Sequence, residues 1–406
     1  MSRYRVGILG YGGFGQFLHQ AWSELNNVQV VAVAGRSRRP DPPARFCENW
    51  ETLIADPEID ILSIATPPSF HASNAIAAME SGKHVLIEKP LATSVEDAKR
   101  IITVQKQTNC AGAVNFIQRF NPLMEKLAVL TKQRTLGELR RVVVENYAQD
   151  GTLPPEHWFW NREISGGTLV EHAVHFIDLV NSLTDQKPIQ VTGSRFCRNE
   201  IQEDQVMAHV LYDLGLMATH YHAFSRPGYF EYTSLRLVYD LAQVDLEGWI
   251  PMRGRLTALV NDETRKALDQ LPGFVIHDVK PIHEIEDLSR MEGWGEPEVH
   301  IPPRFSNRAR SSGIEYKVEE RIHATFDVGV PKQMIYENCV RSVLQDLINK
   351  IERPDHILRT PLEVGLSSLE IACRADNFAR IACRTTSFYD GERLKDAGSV
   401  EKPSVP

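Results

Sequence analysis

The sequence predicts two joined domains: an α/β domain with a doubly wound parallel sheet, then an α+β domain whose large sheet is mostly antiparallel. Three observations lead to this fold class. A glycine-rich turn joins the first strand to the first helix, within residues 4–25. Strand and helix patterns then alternate five times up to about residue 115, which is typical of a parallel sheet. From about residue 188 to residue 249, strand-like segments follow one another in a run.

The bulk properties agree with this and exclude some partners. The 406 residues exceed what one hydrophobic core usually serves, so we expect two domains. A formal net charge of −8 with no long basic run argues against nucleic acid. No apolar stretch approaches the roughly 20 residues that cross a bilayer, so we expect no membrane partner. The first strand begins too early to leave room for a signal peptide. The six cysteines are scattered without a C-x-x-C pair, which is typical of reduced thiols. We therefore expect a cytoplasmic protein.

Residues 4–15 predict a dinucleotide-binding turn of the Rossmann type. An apolar strand ends at Leu9, and Gly10, Gly12 and Gly15 follow with the G-x-G-x-x-G spacing before a helical period begins at Phe14. The first glycine permits the tight turn, the second lets backbone N–H groups approach a pyrophosphate, and the third allows close helix packing. The alternative is an ordinary βα turn. The order strand, turn, helix and a second strand at residues 28–34 favour the dinucleotide.

The loop after the second strand predicts a preference for NADP, with NAD as the alternative. NAD-binding folds place an acidic residue about 20 residues beyond the glycines to bind the ribose 2′-hydroxyl. Here Arg36, Ser37 and Arg38 follow Gly35, and two guanidinium groups with a hydroxyl suit a 2′-phosphate. A solvated basic loop is the plain alternative.

Three further strands are expected at residues 59–65, 84–87 and 111–115. Thr66, Lys89 and Asn115 stand at their carboxyl ends, where ligands of doubly wound sheets bind. Two helices begin between these strands, with Ser69 and Ser94 as their predicted N-caps.

The motifs of the first 125 residues occur in an order typical of one family. They are the glycine turn, Ala65-Thr66-Pro67-Pro68 with His71, Gly82-Lys83-His84-Val85 leading into Glu88-Lys89-Pro90, and residues 115–122. Together they resemble the Gfo/Idh/MocA family (glucose–fructose oxidoreductase, inositol dehydrogenase, rhizopine catabolism). The resemblance implies a nicotinamide dinucleotide bound by Gly10, Gly12, Gly13, Phe14, Gly15, Thr66, Pro67, His71, Glu88, Lys89 and Asn115.

The segment 165–178 carries the second group of candidate residues. On a helix, Glu171 and His175 are four residues apart and share a face, and Asp178 lies one turn further on. The segment resembles the family's Gly-Gly…Asp-x-x-x-His helix, whose Asp and His meet the substrate beside the nicotinamide. Glu171 stands where Asp is usual, and one extra methylene moves the carboxylate by more than about 1 Å, which can matter greatly in catalysis.

Chemistry and resemblance together assign three catalytic residues. Lys89 supplies positive charge to the substrate oxygen, oriented by Glu88, and His175 is expected to titrate near neutrality and to carry the proton. Glu171 is the third, with its role in question. The plain alternatives are a solvated lysine and a structural histidine. Substrate contacts are expected from Lys89, Arg119, Trp158, Trp160, Glu171, His175 and Asp178, although the two tryptophans could instead be buried at a domain junction.

A metal site is disfavoured by side-chain directions. His172 points about 100° away from Glu171 on a helix, and His220 and His222 fall on one face of a strand. We therefore expect an oxidoreductase acting on a sugar, cyclitol or related polyol, or on the matching ketone. Two alternatives stay open: redox-assisted bond cleavage with a tightly bound dinucleotide, and a non-catalytic protein that senses the dinucleotide.

The second half is described mainly through the resemblance. It implies a dinucleotide-binding domain over residues 1–122, a substrate-binding and oligomerisation domain over 123–389 and a tail over 390–406. The large sheet is expected to be open-faced and to join subunits into a homo-oligomer, a dimer or a tetramer. A helix over about 361–381 is expected to pack back on the first domain. Proline and glycine interrupt any period in residues 250–325, so the sequence permits no assignment there beyond loops and short strands.

Overall fold

A computed structural model describes residues 3–35, 44–284 and 307–385 of the chain, with side chains up to residue 380. Its first sheet has six parallel strands in the order β3-β2-β1-β4-β5-β6. This order reverses direction between β1 and β4, as in a doubly wound fold. The α/β prediction is confirmed. The strands are β1 (Tyr4–Leu9), β2 (Val28–Ala34), β3 (Arg45–Cys47), β4 (Ile61–Ile64), β5 (His84–Ile87) and β6 (Gly112–Val114).

The helices of the described residues, in both domains, are α1 (Gly13–Trp22), α2 (Trp50–Ala55), α3 (His71–Glu80), α4 (Val95–Thr108), α5 (Pro122–Lys132), α6 (Arg162–Ser165), α7 (Val174–Leu183), α8 (Asp262–Leu268), α9 (Lys332–Glu352) and α10 (Leu362–Thr385). Five of them cover the two faces of the first sheet, because its strands are apolar on both sides. Helices α2, α3 and α4 pack on one face, and α1 and α9 on the other. The Trp22 indole N–H, on α1, donates to the carbonyl oxygen of Val340 on α9 at 3.1 Å.

The second sheet has nine strands in the order β14-β17-β13-β12-β11-β7-β10-β9-β8. All neighbours are antiparallel except β7 and β10, which confirms the mostly antiparallel prediction. Its strands, with the separate hairpin β15–β16, are β7 (Leu139–Gln149), β8 (Pro188–Cys197), β9 (Glu203–Tyr212), β10 (Met217–Arg226), β11 (Tyr232–Tyr239), β12 (Ala242–Glu247), β13 (Arg253–Val260), β14 (Val275–Pro281), β15 (Arg308–Ser311), β16 (Ile314–Lys317) and β17 (Glu320–Asp327).

Helices α5, α7 and α10 cover one face of the nine-stranded sheet, where alternate residues of β7 are buried. No helix among the described residues lies on the other face, so the sheet is open there. Helix α10 also contacts α4 and β6 of the first sheet, and the backbone N–H of Val114 donates to the carbonyl oxygen of Thr360 just before α10. Every helix in the described ranges is too short or too polar to cross a lipid bilayer.

Residues 250–325, which the sequence left without an assignment beyond loops and short strands, contribute to the large sheet: β13 and β17 have eight residues each and pair with each other. One local prediction was wrong. Ser94 caps α4 as predicted, accepting from the Asp97 N–H at 3.1 Å, but Ser69 caps nothing. It lies within a 3₁₀ turn, Pro68–Phe70, and α3 begins at His71 without a side-chain cap, because an N-cap residue needs an extended backbone.

Candidate active site

A cleft of about 260 Å³ lies beyond the carboxyl ends of β4, β5 and β6, next to the glycine turn. Eight of the residues expected at the site line it: Phe14, Thr66, Glu88, Lys89, Asn115, Trp158, Glu171 and His175. The sheet topology explains why residues so distant in sequence meet, since parallel strands place their carboxyl ends at one edge. The segment 169–175 closes the cleft from the second domain.

The glycine turn has the geometry that a dinucleotide needs. Gly10 has φ of +102°, and a Cβ there would lie 2.3 Å from the carbonyl oxygen of Ala65. A Cβ on Gly15 would lie 2.3 Å from the carbonyl oxygen of Gly10, so α1 packs too closely for any side chain. Around Gly12 and Gly13 there is open space instead, at the N-terminus of α1, where backbone N–H groups could hold a pyrophosphate. These residues fit the cofactor. Arg36, Ser37 and Arg38 lie outside the described residues.

Lys89 and Glu171 form the central ion pair of the cleft. The Lys89 ammonium donates to Glu171 Oε1 at 2.7 Å and to the backbone carbonyl oxygen of Glu171 at 2.9 Å. Residues Leu169–Ala173 form a π-helical turn, a widening of the helix that often occurs at functional sites. Burial by itself raises the pKa of the Glu171 carboxyl, but Lys89, His172 and His71 together outweigh burial and the pKa is lowered. The Glu171 carboxyl is therefore ionised at neutral pH.

Glu88 does not orient the Lys89 ammonium, contrary to expectation, because that ammonium bonds to Glu171. The Glu88 carboxylate accepts instead from the side-chain amide of Asn115. Burial raises the pKa of Glu88 to about 7, against the lowering effect of Asn115 and Lys89. Glu88 is thus divided between acid and carboxylate near neutral pH.

The His175 imidazole lines the cleft with its ring edge-on to Trp249, the centroids 5.5 Å apart. Its ring nitrogens have no hydrogen-bond partner within the described part of the chain. Burial, followed by the nearby Lys89 charge, lowers the pKa of His175 well below its ordinary value. The expectation that this residue titrates near neutrality is therefore corrected: the ring is neutral at pH 7 and can accept a proton.

His71 was expected to bind the cofactor, but its side chain is fully buried beneath the cleft. Its Nδ1 lies 2.7 Å from the carbonyl oxygen of Pro90, and its Nε2 lies 2.8 Å from that of Thr66. The ring therefore ties together the two loops that follow β4 and β5.

Three expected substrate contacts do not line the cleft. Arg119 forms a two-bond ion pair with Asp178, at 2.8 and 2.9 Å, and the Asp178 carboxylate is buried. Trp160 is buried against Phe159 and Phe224, and its indole N–H donates to the Leu153 carbonyl oxygen at 3.0 Å. Trp160 is therefore buried, but inside the second domain and not at the domain junction considered for the tryptophans, whereas Trp158 lines the cleft.

Five lining residues were not anticipated: Ala65, Pro68, Ile117, Trp249 and Tyr336. Tyr336 extends into the cleft from α9, and its ring lies 5.5 Å from that of Trp249. The available signals were weak. Tyr336 directly follows Ile335, a buried residue of α9, and Trp249 follows a glycine after β12.

Another group of histidines lies behind His175. His172 bonds to the Asn146 amide oxygen through Nε2 at 3.0 Å, and its ring lies 5.3 Å from that of His222. His220 and His222 are fully buried, with ring nitrogens that have no partner among the described residues. Within those residues no three metal-binding side chains come together.

Two family descriptions match most of the first 239 residues. The oxidoreductase family with an NAD-binding Rossmann fold, GFO_IDH_MocA, matches residues 4–116, and the C-terminal domain of the same family matches residues 124–239. This chain belongs to the Gfo/Idh/MocA family.

This Gfo/Idh/MocA chain is similar to a dehydrogenase of known sequence and to several solved structures. Levoglucosan dehydrogenase from Pseudarthrobacter phenanthrenivorans is 28% identical over 205 residues, 46% of this chain and 52% of that protein, so the chain spans about half the length of this relative. Two solved structures with 18% identity share the fold. Biliverdin reductase from Synechocystis, in complex with biliverdin and NADP+, matches with a TM-score of 0.65, over 93% of this chain and 99% of the reductase. The WlbA dehydrogenase from Bordetella pertussis, in complex with NADH and UDP-GlcNAcA, matches with a TM-score of 0.67, over 94% of this chain and 96% of the dehydrogenase.

Proposed function

We propose that this Gfo/Idh/MocA protein is a nicotinamide-dependent oxidoreductase that acts on a hydroxyl-bearing carbon of a sugar, cyclitol or related polyol, or on the matching ketone. The observation that carries the proposal is the meeting of the Lys89 ammonium, the Glu171 carboxylate and the His175 imidazole in one cleft beside the glycine turn. The similarity to a dehydrogenase of an anhydrosugar supports the substrate class.

The bound nicotinamide would accept or supply the hydride. The side chains of the protein transfer the proton and stabilise the charge that develops on the substrate oxygen. In the oxidative direction the neutral His175 ring accepts the hydroxyl proton while Lys89 donates a hydrogen bond to the same oxygen, which stabilises negative charge developing there. Glu171 keeps the ammonium in place. In the reductive direction Lys89 again donates a hydrogen bond to the carbonyl oxygen, and that oxygen takes its proton from the protonated form of His175, which is a strong proton donor because its pKa is low. Thr66 and Asn115, which line the cleft, and Gly12, which has open space around it, would hold the cofactor.

For the cofactor we propose NADP in preference to NAD. The support is the sequence Arg36-Ser37-Arg38 after the second strand. Solved structures with this fold bind NADP+ in one case and NADH in another, so the fold leaves the choice to such residues.

We further propose a cytoplasmic homo-oligomer, a dimer or a tetramer, joined through the open face of the nine-stranded sheet. Support comes from apolar side chains exposed on that sheet, among them Met217 at 55% and Tyr232 at 44%. Cys47, Cys110, Cys339 and Cys373 form no disulfides, which fits a reducing compartment. Sedimentation analysis of the wild type and of Met217→Lys tests the assembly, since a charge in the interface should dissociate it.

The experiment that tests the catalytic proposal is an absorbance assay at 340 nm over a panel of sugars, inositols and diols, with NADP and NAD and in both directions. A substrate-dependent change in reduced nucleotide supports the proposal. Nucleotide binding without hydride transfer to or from any member contradicts it, and turnover without net change in reduced nucleotide would indicate redox-assisted cleavage instead.

A further inference from the structure

The proposed function, on which this inference rests, requires one ring nitrogen of His175 to face the substrate hydroxyl. A catalytic imidazole is commonly oriented by a hydrogen bond on its other nitrogen. Neither ring nitrogen of His175 has such a partner among the residues that the structure describes. The ring is also neutral at pH 7, so it has no net charge that could pair with Glu171. The orientation of the His175 ring must therefore come from packing.

Two neighbouring rings meet the His175 ring edge-on. The outer side-chain torsion of a histidine has only broad preferences, so its neighbours decide the ring plane. Trp249 lies with its ring centroid 5.5 Å from that of His175 and the planes at 84°, and His172 lies at 6.5 Å and 77°. Edge-on contact is a favoured geometry of aromatic rings. Trp249 is the nearer of the two, and it lies outside α7, the helix that carries His175.

The backbone around Trp249 is fixed by two buried side chains of the segment that follows β6. The side-chain amide of Gln118 donates to the carbonyl oxygen of Trp249 at 2.9 Å. The side-chain amide of Asn121 donates to the carbonyl oxygen of Pro251 at 2.8 Å. Both amides are buried, so these bonds compete little with water. A loop that follows β12 of the nine-stranded sheet is therefore fastened to the segment that follows the last strand of the six-stranded sheet.

The indole ring of Trp249 is held as well. Tyr336 of α9 packs against it, with the ring centroids 5.5 Å apart and the planes at 64°. Trp249 also lines the cleft, so it could act simply as a wall against which a ligand binds. The two roles make different predictions. A residue that only binds substrate mainly sets KM, whereas one that orients the proton acceptor sets the rate of the chemical step.

We propose that Trp249 is a positioning residue that sets the plane of the His175 ring, and that Gln118 and Asn121 hold Trp249 in place for this role. Trp249 acts on proton transfer through His175, and it exchanges no proton itself.

The first test compares Trp249→Leu with Trp249→Phe. The readout is the rate of hydride transfer in a single turnover, followed at 340 nm with the best substrate of the sugar, inositol and diol panel. Trp249→Leu removes the ring edge, so this rate should fall by roughly 10–100-fold while KM changes by less than about threefold. Trp249→Phe keeps an aromatic edge and should retain most of the rate.

The control for this comparison is Trp50→Leu, which changes an exposed tryptophan on α2 and should behave as wild type. A rise in KM with an unchanged rate of hydride transfer in Trp249→Leu indicates a substrate wall and overturns the proposal. Equal losses of rate in Trp249→Leu and Trp249→Phe overturn it too, because the aromatic edge would then have no part in the effect.

Gln118→Met tests the same contacts from a residue that is not among the described residues lining the cleft. The change keeps the length of the side chain and removes the donor to the Trp249 carbonyl oxygen, so hydride transfer should slow by about 3–10-fold. Combined with Trp249→Leu it should cause no further loss, because both changes act through one ring. Gln243→Met, exposed on β12, is the control. A wild-type rate in Gln118→Met, or additive losses in the double variant, contradicts the proposal.

A measurement of ring motion separates this inference from the proposed function. If no member of the panel is turned over, the oxidoreductase proposal fails, and ¹³C NMR relaxation of the histidine Cε1–H groups still tests the role of Trp249. The His175 signal is assigned by its loss in His175→Gln. Motion of the His175 ring should increase in Trp249→Leu and Gln118→Met and stay as in wild type in Trp50→Leu and Gln243→Met. Unchanged ring motion in Trp249→Leu overturns the inference even where catalysis is found.

Discussion

The Lys89 ammonium is held by two oxygen atoms of a single residue, Glu171 Oε1 at 2.7 Å and the Glu171 carbonyl oxygen at 2.9 Å. Both residues are largely buried, so the ammonium has little freedom to swing away. Glu171 thus fixes the position of the lysine in the cleft through its side chain and its backbone.

Replacing Lys89 with Met should lower kcat by about 10²–10⁴-fold, because the substrate oxygen loses its charged donor. Nucleotide affinity, measured by fluorescence titration, should stay within a few-fold of the wild type. Lys126→Met, an exposed residue on α5, is the control and should behave as wild type. Near-normal turnover in Lys89→Met would contradict the assignment.

Shortening Glu171 should misplace the lysine. Glu171→Ala leaves only the backbone carbonyl as a partner, and we expect kcat to fall on the order of 100-fold, the effect of displacing a catalytic group by about 1 Å. Glu171→Gln keeps an oxygen at the same reach and should retain more activity. Steady-state kinetics of the two variants checks this order, and equal losses would argue against a positioning role.

Removing the His71 ring should affect both stability and catalysis. The neutral His71 ring lies between the buried carbonyl oxygens of Thr66 and Pro90 and donates to one of them, so His71→Leu leaves that oxygen without its donor, at a cost of about 1–3 kcal/mol in the free energy of unfolding. The loop carrying Lys89 should shift, so kcat should fall as well. Urea unfolding and kinetics measure the two effects. His277→Leu, exposed on β14, should change neither.

Acid should destabilise the protein below pH 6.5. Burial lowers the pKa of His172 to about 4 and of His220 to about 3, and lowers the pKa of His175 and His222 well below 6.5. Between these values and 6.5 the unfolded chain binds protons that the folded protein cannot, so unfolding is favoured as the pH falls. Each group costs about 1.4 kcal/mol at pH 5.5. The midpoint of urea unfolding between pH 8 and pH 5 measures the effect.

The contribution of one histidine can be isolated. In His220→Phe the slope of stability against pH should become shallower, and stability at pH 7 should be equal or higher because two unpartnered ring nitrogens are removed. His209→Phe changes an exposed histidine on β9 and should leave the slope as it is.

The proposed preference for NADP predicts that removing the two arginines weakens the use of NADP but not of NAD. Arg36→Ala combined with Arg38→Ala should raise the KM for NADP by roughly 10–100-fold and leave that for NAD within a few-fold, because only NADP carries the 2′-phosphate. Kinetics with both nucleotides tests this, and equal losses would show that the arginines do not recognise the phosphate.

Local patterns in the sequence were enough to predict five of the six strands of the first sheet, all but the short β3, and about half of the residues that line the cleft. The glycine spacing and the residues at strand ends depend on chain-local geometry, so Gly10, Thr66, Lys89 and Asn115 fall where expected. The predictions failed where a residue's position depends on a partner that is far away in the sequence. Nothing near Arg119 indicates that Asp178 will neutralise it, and no period predicts that Tyr336 of α9 reaches the cleft.

Helix α9 has a consequence for how the chain can be divided. It forms part of the layer on one side of the first sheet, joined to α1 through Trp22 and Val340, yet it lies more than 300 residues further along the chain. A fragment ending near residue 122 would keep α1 but lack α9, so part of the apolar face of its sheet would be exposed to water and the fragment would be prone to aggregate. The nucleotide-binding half is therefore no autonomous module, and its assembly must wait for the C-terminal segment to be synthesised.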